Sequence, residues 1–155
     1  MLDLLDEFRS ILEGLEHAGV EFAVCGGLAM AIHARPRATL DVDLLVPRAS
    51  LDAAKEVARV LGYRIEAGPL SFAAGSVEIH RLSKPDPETG DLLSLDLLVV
   101  TPELEPVWQA RQRVTWEHGT VPVVSRDGLV RMKRLRGSGQ DLDDIAHLER
   151  DDDGD

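Results

Sequence analysis

Three aspartates of this sequence lie within apolar segments that are predicted to be strands. Asp41 and Asp43 belong to the segment LDVDLLV, and Asp96 belongs to LLSLDLLVV. Because alternate side chains of a strand share a face, the first two carboxylates point the same way, and Val42 points towards a core. Carboxylates on one face repel each other, and each is costly to bury without a compensating charge. Oxygen ligands in this number suit Mg²⁺, or alternatively Mn²⁺, and two bridged ions are the arrangement used in phosphoryl transfer.

A pair of glycines precedes these aspartates along the chain. Gly26 and Gly27 follow a predicted strand over 20–25 and open a predicted short helix over 28–34. Glycine lets the backbone approach a phosphate closely, and a helix N-terminus offers free N–H groups and the positive end of a dipole. The sequence therefore predicts a magnesium–nucleoside triphosphate site built from both glycines and the three aspartates.

Basic residues supply candidates for contacts with the triphosphate. Lys133 and Arg136 are three apart on a predicted helix and so share one face. Lys133 is the stronger candidate, and the alternatives are an exposed basic helix or a bond from Lys133 to a carboxylate of the next helix. Arg37 could contact a phosphate or hold Asp43 in place.

Other residues with reactive or aromatic side chains have plainer interpretations. Cys25 is predicted to be a small core residue rather than a nucleophile. The position of His33 favours a cap at a helix end over a ligand. Trp108 and Trp116 favour core or interface packing over stacking on a base, and the sequence does not decide whether His80 approaches the acidic site.

The remaining pattern predicts the elements that position these residues. Ser50 and Ser125 are expected to cap helices. Further helices are predicted over 2–18, 51–61, 103–111, 125–136 and 141–149, and further strands over 40–46, 63–66, 76–82, 92–100, 113–117 and 121–124. This order predicts an α/β (α+β) fold with a mixed β-sheet flanked by helices. A single domain is expected over 1–150, followed by a disordered acidic tail over 151–155.

Composition narrows the class of protein. Of the 155 residues, 44% are apolar, and no apolar run approaches the roughly 20 residues that span a membrane. With one cysteine and no signal-like N-terminus, a cytoplasmic protein without a membrane partner is expected. The net charge of −11 argues against nonspecific binding to nucleic acid, although an RNA substrate reached through a local basic patch stays open.

These motifs resemble the nucleotidyltransferase superfamily with the DNA polymerase beta type of fold. Its signature is hydrophobic-Gly-Gly/Ser, then about ten residues, then Asp-hydrophobic-Asp/Glu, with a third acidic residue on a later strand. The spelling GGLAMAIHARPRATLDVDLLV is most similar to the abortive-infection type toxin nucleotidyltransferases and their small relatives. Their second block, a helix with a lysine followed by Asp-x-x-Asp, resembles Lys133, Asp141 and Asp144, and His33, Arg37 and Thr39 fit the first.

The resemblance implies a catalytic role for Asp41, Asp43 and Asp96 as ligands of two Mg²⁺ ions. It implies transfer of a nucleoside monophosphate to a hydroxyl, with release of pyrophosphate. Asp96 would help to position or deprotonate that hydroxyl, and Gly26 and Gly27 would hold the triphosphate. Lys133 and Arg37 are the further nucleotide-binding candidates.

The acceptor is left open by the sequence among RNA such as a tRNA end, a protein side chain and a small molecule. Many toxin members are about twice this length, so an acceptor platform could come from an antitoxin or from a second copy of the chain. The alternative function is a noncatalytic nucleotide-binding module or a partner subunit of a toxin–antitoxin pair. The presence of all three aspartates favours catalysis.

Overall fold

The structure is a computed structural model that describes residues 2–33, 41–116, 119–136 and 145–146, with the side chains of 31–33 and 136 left out. Within these ranges the helices are α1 (Leu4–His17), α2 (Gly26–His33), α3 (Leu51–Val60), α4 (Glu105–Gln109) and α5 (Arg126–Arg136). The strands are β1 (Ala23–Cys25), β2 (Asp41–Val46), β3 (Ile65–Glu66), β4 (Leu70–Phe72), β5 (Val77–Pro85), β6 (Leu92–Val99), β7 (Gln112–Trp116) and β8 (Gly119–Val123).

All eight of these strands join one mixed sheet. Its order is β3-β5-β6-β2-β1-β8-β7, and β4 pairs with β5 on the same side as β3. Strand β2 runs parallel to β6 and antiparallel to β1, while β5 and β6 form an antiparallel hairpin. The sheet has helices on both faces, so the predicted fold class, a mixed sheet flanked by helices, is confirmed.

One face of the sheet carries Asp41, Asp43 and Asp96 and is called the aspartate face below. Helix α2 packs against β1, β2 and α5. Helix α5 lies over the same face, because Leu129 and Met132 line a small cavity together with Asp43.

The opposite face is covered by α1 and α3. Helix α1 buries the apolar stripe that its sequence predicts: Phe8, Ile11, Leu12 and Leu15. The two helices approach closely, since a Cβ added to Gly14 would lie 2.9 Å from Cγ1 of Val57. Lys55 of α3 bonds to Glu66 of β3 at 2.8 Å and, with Arg59, lowers the pKa of that carboxyl. Because α1 and α3 cover the opposite face, the helices that pack on the aspartate face are α2 and α5.

The predicted elements differ from the observed ones at several points. The side chain of Ser50 makes no capping bond, because a 3-10 turn over Arg48–Ser50 leads directly into α3. Ser125 does cap α5, since its Oγ accepts from the N–H of Gly128 at 3.0 Å. Strand β4 was not predicted from the sequence, and β5 extends beyond residue 82 to Pro85.

In the described ranges, no helix has both the length and the apolar character needed to cross a membrane.

Candidate active site

The three predicted aspartates lie side by side on adjacent strands. Asp43 of β2 is paired in register with Asp96 of β6, and Asp41 is paired with Ser94. Residues that are paired across two strands share a face, so all three carboxylates project from the same side of the sheet. Asp96 is buried, with 5% of its surface exposed, whereas Asp41 and Asp43 are partly exposed. The strand order thus assembles the carboxylate set that the sequence predicts.

Gly26 brings the backbone into direct contact with this set. It begins α2 with a φ of +65°, a backbone conformation that residues with a Cβ rarely adopt. A Cβ at this position would lie 2.7 Å from Cβ and 2.6 Å from Cγ of Asp43, and it would overlap the carboxylate oxygen. Both the backbone angle and the space therefore require glycine, and the first turn of α2 starts against the carboxylate of Asp43.

Arg81 of β5 is a member of the site that the sequence analysis missed. It is paired in register with Asp96, and its guanidinium makes two bonds to that carboxylate. Nε donates to Oδ1 at 2.7 Å and Nη2 donates to Oδ2 at 2.9 Å. The hydrogen bond to Asp96, together with the charges of Asp96, Asp41 and Asp43, raises the pKa of the Arg81 guanidinium above its usual value. Arg81 is thus the cation set against the acidic cluster.

Lys133 of α5 reaches the same site from the helical layer. Its side chain is buried, with 4% exposed, and it lines a cavity of about 30 Å³ together with Gly26 and Asp43. Val77 and Ile79 of β5 form an apolar part of the lining. The cavity can hold a water molecule but not a triphosphate. Lys133 therefore lies beside the contact between Gly26 and Asp43.

Several solved structures of other proteins have a similar architecture. The lincosamide antibiotic adenylyltransferase LnuA is 18% identical, with a TM-score of 0.62 over 93% of this chain and 95% of LnuA. The antibiotic-resistance factor ANT(2″)-Ia is 13% identical, with a TM-score of 0.65 over 92% of this chain and 80% of its own. No family model matches the sequence, and no curated protein matches it.

The protein has a nucleotidyltransferase fold. A third similar structure is TM1012 of Thermotoga maritima, which is described as a nucleotidyltransferase candidate. It is 12% identical, with a TM-score of 0.63 over 95% of this chain and 92% of the TM1012 chain. The nucleotidyltransferase fold that the resemblance implies is thereby confirmed. The similarity to the toxin branch stays a prediction.

The three carboxylates of the aspartate face are the candidate ligands of a divalent ion. Among the described residues, no group of three or more His, Cys, Asp or Glu side chains is arranged to hold a metal ion. The chemistry of the set nonetheless fits, because three carboxylates share one face and Asp43 and Asp96 are directly paired. Both oxygens of Asp96 accept from Arg81. The residues fit an ion once Asp96 is shared or released by Arg81.

Several other predicted candidates are placed away from the carboxylates. His80 points to the opposite face, where its Nε2 lies 2.7 Å from Oε2 of Glu78, so it does not approach the acidic site. Trp108 is a core residue with Arg111 stacked 3.9 Å from its ring centre, and Trp116 packs edge-on against Phe8. Core packing is therefore confirmed for Trp108, whereas Trp116 is partly buried against the core.

Some predictions lie outside the described residues. These include Arg37, Thr39, Asp141, Asp144, the tail over 151–155 and most of the predicted last helix, of which only residues 145 and 146 are described as helical. The side chains of His33 and Arg136 also lie outside the description. Their roles stay predictions.

An exposed apolar strip flanks the carboxylates on the aspartate face. It consists of Ile65, Leu70, Phe72 and Leu92, which are 51%, 46%, 45% and 49% exposed. Each of these residues is paired in register with a residue of β5 that points to the same side as Arg81. The pairs are Ile65 with Ser83, Leu70 with Ile79, Phe72 with Val77, and Leu92 with Pro85. The strip therefore continues on both sides of the bond between Arg81 and Asp96. We expect exposed apolar surface beside a polar site to contact a ligand.

Proposed function

We propose that this protein is a metal-dependent nucleotidyltransferase, which moves a nucleoside monophosphate from a nucleoside triphosphate to a hydroxyl acceptor. The observation that carries the proposal is the contact between the Gly26 backbone and the Asp43 carboxylate, with Asp96 paired beside it. A phosphate-binding helix start and metal-binding carboxylates have to meet in such an enzyme. The fold shared with LnuA and ANT(2″)-Ia supports the same reaction class.

The chemistry requires a bond exchange at the α-phosphorus of the triphosphate. The acceptor oxygen forms a new bond to this phosphorus, and the bond from the phosphorus to the oxygen bridging to the β-phosphate breaks. The electron pair of that bond leaves with pyrophosphate, and the acceptor loses its proton. In the proposed reaction Asp96 positions the hydroxyl and takes up the proton, because it is the buried one of the three carboxylates and lies on the strand next to β5.

Divalent cations complete the site in this proposal. Asp41 and Asp43 would hold two Mg²⁺ ions, or Mn²⁺ ions, together with Asp96. When bound, these ions would neutralise charge on the phosphates and on the leaving pyrophosphate. Gly26 and Gly27 provide the backbone N–H groups at the start of α2. The protein thus supplies the orientation of the triphosphate as well as the ligands.

Replacement of Lys133 by methionine should weaken nucleotide binding. Lys133 is the buried cation of α5 nearest to Asp43, and a charged hydrogen bond to a phosphate contributes about 1.5–3 kcal/mol. We expect the dissociation constant of the preferred triphosphate to rise about 10- to 100-fold in Lys133→Met, as measured by titration calorimetry with Mg²⁺. The matched control is Arg134→Met, because Arg134 is the exposed neighbour on the same helix. Unchanged affinity with reduced thermal stability would show that Lys133 is structural.

The apolar strip favours a small amphipathic acceptor over a polynucleotide. The acceptor hydroxyl has to reach Asp96, which lies between the two halves of the strip, so the atoms flanking the hydroxyl would rest on apolar side chains. An acidic chain with a net charge of −11 attracts a cation more readily than an RNA. The solved structures of LnuA with lincomycin and of ANT(2″)-Ia with adenylyl-2″-tobramycin hold small molecules, the second of them already adenylylated.

The double substitution Leu70→Ser with Phe72→Ser should therefore impair acceptor binding selectively. Burying each of these side chains contributes about 1.5–3 kcal/mol, so we expect the KM for the acceptor to rise at least about tenfold. The KM for the triphosphate should stay the same. Val60→Ser is the control, because Val60 is 73% exposed on α3, at the opposite face. Equal effects on both substrates would contradict the assignment of the strip.

The proposed function is tested by supplying each α-³²P-labelled nucleoside triphosphate with Mg²⁺ and separate acceptor pools. The pools are aminoglycosides, lincosamides, total tRNA and the protein itself. The proposal predicts one labelled acceptor and an equal amount of pyrophosphate. Binding of a triphosphate without pyrophosphate from any pool would favour the noncatalytic module, and acceptor-independent release of a labelled monophosphate would indicate a hydrolase.

A further inference from the structure

The salt bridge between Arg81 and Asp96 engages the carboxylate oxygens that the proposed reaction needs for metal binding. Both carboxylate oxygens of Asp96 accept from one guanidinium, at 2.7 and 2.9 Å. A bidentate pair of this kind is among the stronger ion pairs in proteins. Asp96 is buried, so the pair is shielded from solvent on the carboxylate side.

The guanidinium of Arg81 lies on the face of the sheet that carries the three aspartates. Arg81 is paired in register with Asp96, which is paired in turn with Asp43. Three carboxylates on one face need compensating positive charge. Arg81 lies on the β5 side of the set and Lys133 on the α5 side.

The side chain of Arg81 has room to move away from Asp96. It is 43% exposed, whereas the side chain of Asp96 is 7% exposed. The carboxylate is held within the sheet, and the guanidinium is at its surface. Exchange of partners at Asp96 therefore proceeds by movement of Arg81 rather than of the aspartate.

We infer that Arg81 is a positioning residue that holds Asp96 in the metal-free protein and competes with the divalent cation for that carboxylate. The inference rests on the proposed function and adds a step to it. Entry of the cation displaces at least one guanidinium bond from Asp96. Arg81 thereby lowers the metal affinity of the site and offsets part of the negative charge of its acidic cluster until the metal–nucleotide complex arrives.

The test measures the affinity of the nucleotide-free protein for Mn²⁺. Binding is monitored through the electron paramagnetic resonance signal of free Mn²⁺. In Arg81→Met the competitor is absent, and we expect Mn²⁺ to bind at least tenfold more tightly than in the wild type. Arg81→Lys keeps the charge but loses the bidentate geometry, so its affinity should be intermediate.

The matched control is Arg48→Met, which removes another arginine–carboxylate pair from β5. Arg48 donates to both oxygens of Glu78, at 3.3 and 2.9 Å, and this pair lies on the opposite face of the sheet. Its loss should leave Mn²⁺ affinity unchanged. If Arg81→Met binds Mn²⁺ as weakly as the wild type or more weakly, or if none of the four proteins binds it, the competition is refuted.

A measurement on the wild type keeps the test independent of variant folding. The ¹⁵N-edited NMR signal of the Arg81 Nε–H group, identified by its loss in Arg81→Lys, reports the bond to Asp96. We expect Mg²⁺ to shift this signal and to increase its exchange with water. A signal that Mg²⁺ leaves unchanged, in a protein that binds Mg²⁺–triphosphate, would overturn the role of Arg81 and leave the proposed function intact.

Discussion

Asp43→Asn should abolish nucleotidyl transfer while the protein stays folded. Asp43 is the central carboxylate of the site, since it is paired with Cys25 on one side and with Asp96 on the other, and it contacts the start of α2 at Gly26. The asparagine side chain has the same shape but only one oxygen and no charge. Because bound cations contribute several kcal/mol to phosphoryl transfer, we expect the rate to fall more than about 100-fold.

The rate is measured as labelled product from the preferred triphosphate and acceptor, and folding is monitored by circular dichroism. Asp52→Asn is the control, because Asp52 is an exposed acid in the first turn of α3, at the opposite face of the sheet. It should retain full activity. Retention of a tenth or more of the activity in Asp43→Asn would remove this residue from the catalytic set.

Gly26→Ala should cause a large loss of both stability and nucleotide binding. The substitution forces alanine into a backbone conformation with φ near +65° and drives its Cβ into the Asp43 carboxylate. The backbone strain costs about 1–2 kcal/mol, and the forced displacement of a packed neighbour costs about 1–3 kcal/mol. We therefore expect the free energy of unfolding to fall by about 2–5 kcal/mol and Tm to fall by roughly 4–20 °C.

Gly19→Ala separates the two causes. Gly19 has a similar φ of +73°, but a Cβ there would meet no atom within 4 Å. It should lose only the backbone strain of about 1–2 kcal/mol, measured by urea unfolding, and should bind triphosphate normally. Equal losses in the two variants would show that the contact between Gly26 and Asp43 adds nothing beyond backbone strain.

The local part of the site could be predicted from the sequence. The two-residue repeat of a strand places Asp41 and Asp43 on one face, and this prediction needs no knowledge of neighbouring strands. The breaking of β1 by glycine and the start of α2 also follow from local preferences. In the structure α2 begins at Gly26 itself, two residues before the predicted start.

The pairing between strands could not be predicted in the same way. That Asp96 lies beside Asp43 depends on the sheet order, in which β6 is the neighbour of β2 although β3, β4 and β5 intervene in the chain. Apolar strands of similar composition fit several orders equally well, so the choice is made by packing of the whole sheet. The residue pattern and the resemblance both predicted Asp96 as a member of the set, but neither predicted that β6 lies directly beside β2.

Arg81 was missed because the register of a hairpin depends on its turn. The sequence pattern predicts a strand that ends at residue 82, and this leaves the pairing of β5 with β6 undefined. In the structure β5 continues to Pro85, opposite Leu92, and this register puts Arg81 opposite Asp96. The contact between Arg81 and Asp96 therefore follows from the observed register, which the sequence pattern does not predict.

The apolar strip escaped prediction for a related reason. Strand β4 has only three residues and is exposed throughout, so neither its length nor its burial gives a strand signal. It exists because its backbone pairs with Val77, Glu78 and Ile79 of β5. Surface features that depend on distant pairing, such as this acceptor-side strip, are the part of the site that only the fold reveals.

The central claim, that Asp43 and its neighbours form a metal–nucleotide site, is tested most directly by thermal unfolding of the wild type with each of ATP, GTP, CTP and UTP, with and without Mg²⁺. A triphosphate at 100 times its dissociation constant should stabilise the protein by about 2.7 kcal/mol, which raises Tm by roughly 5–10 °C. We predict this rise for at least one triphosphate, only with Mg²⁺, and not in Asp43→Asn. An unchanged Tm with all four triphosphates, or an equal rise in Asp43→Asn, would contradict the claim.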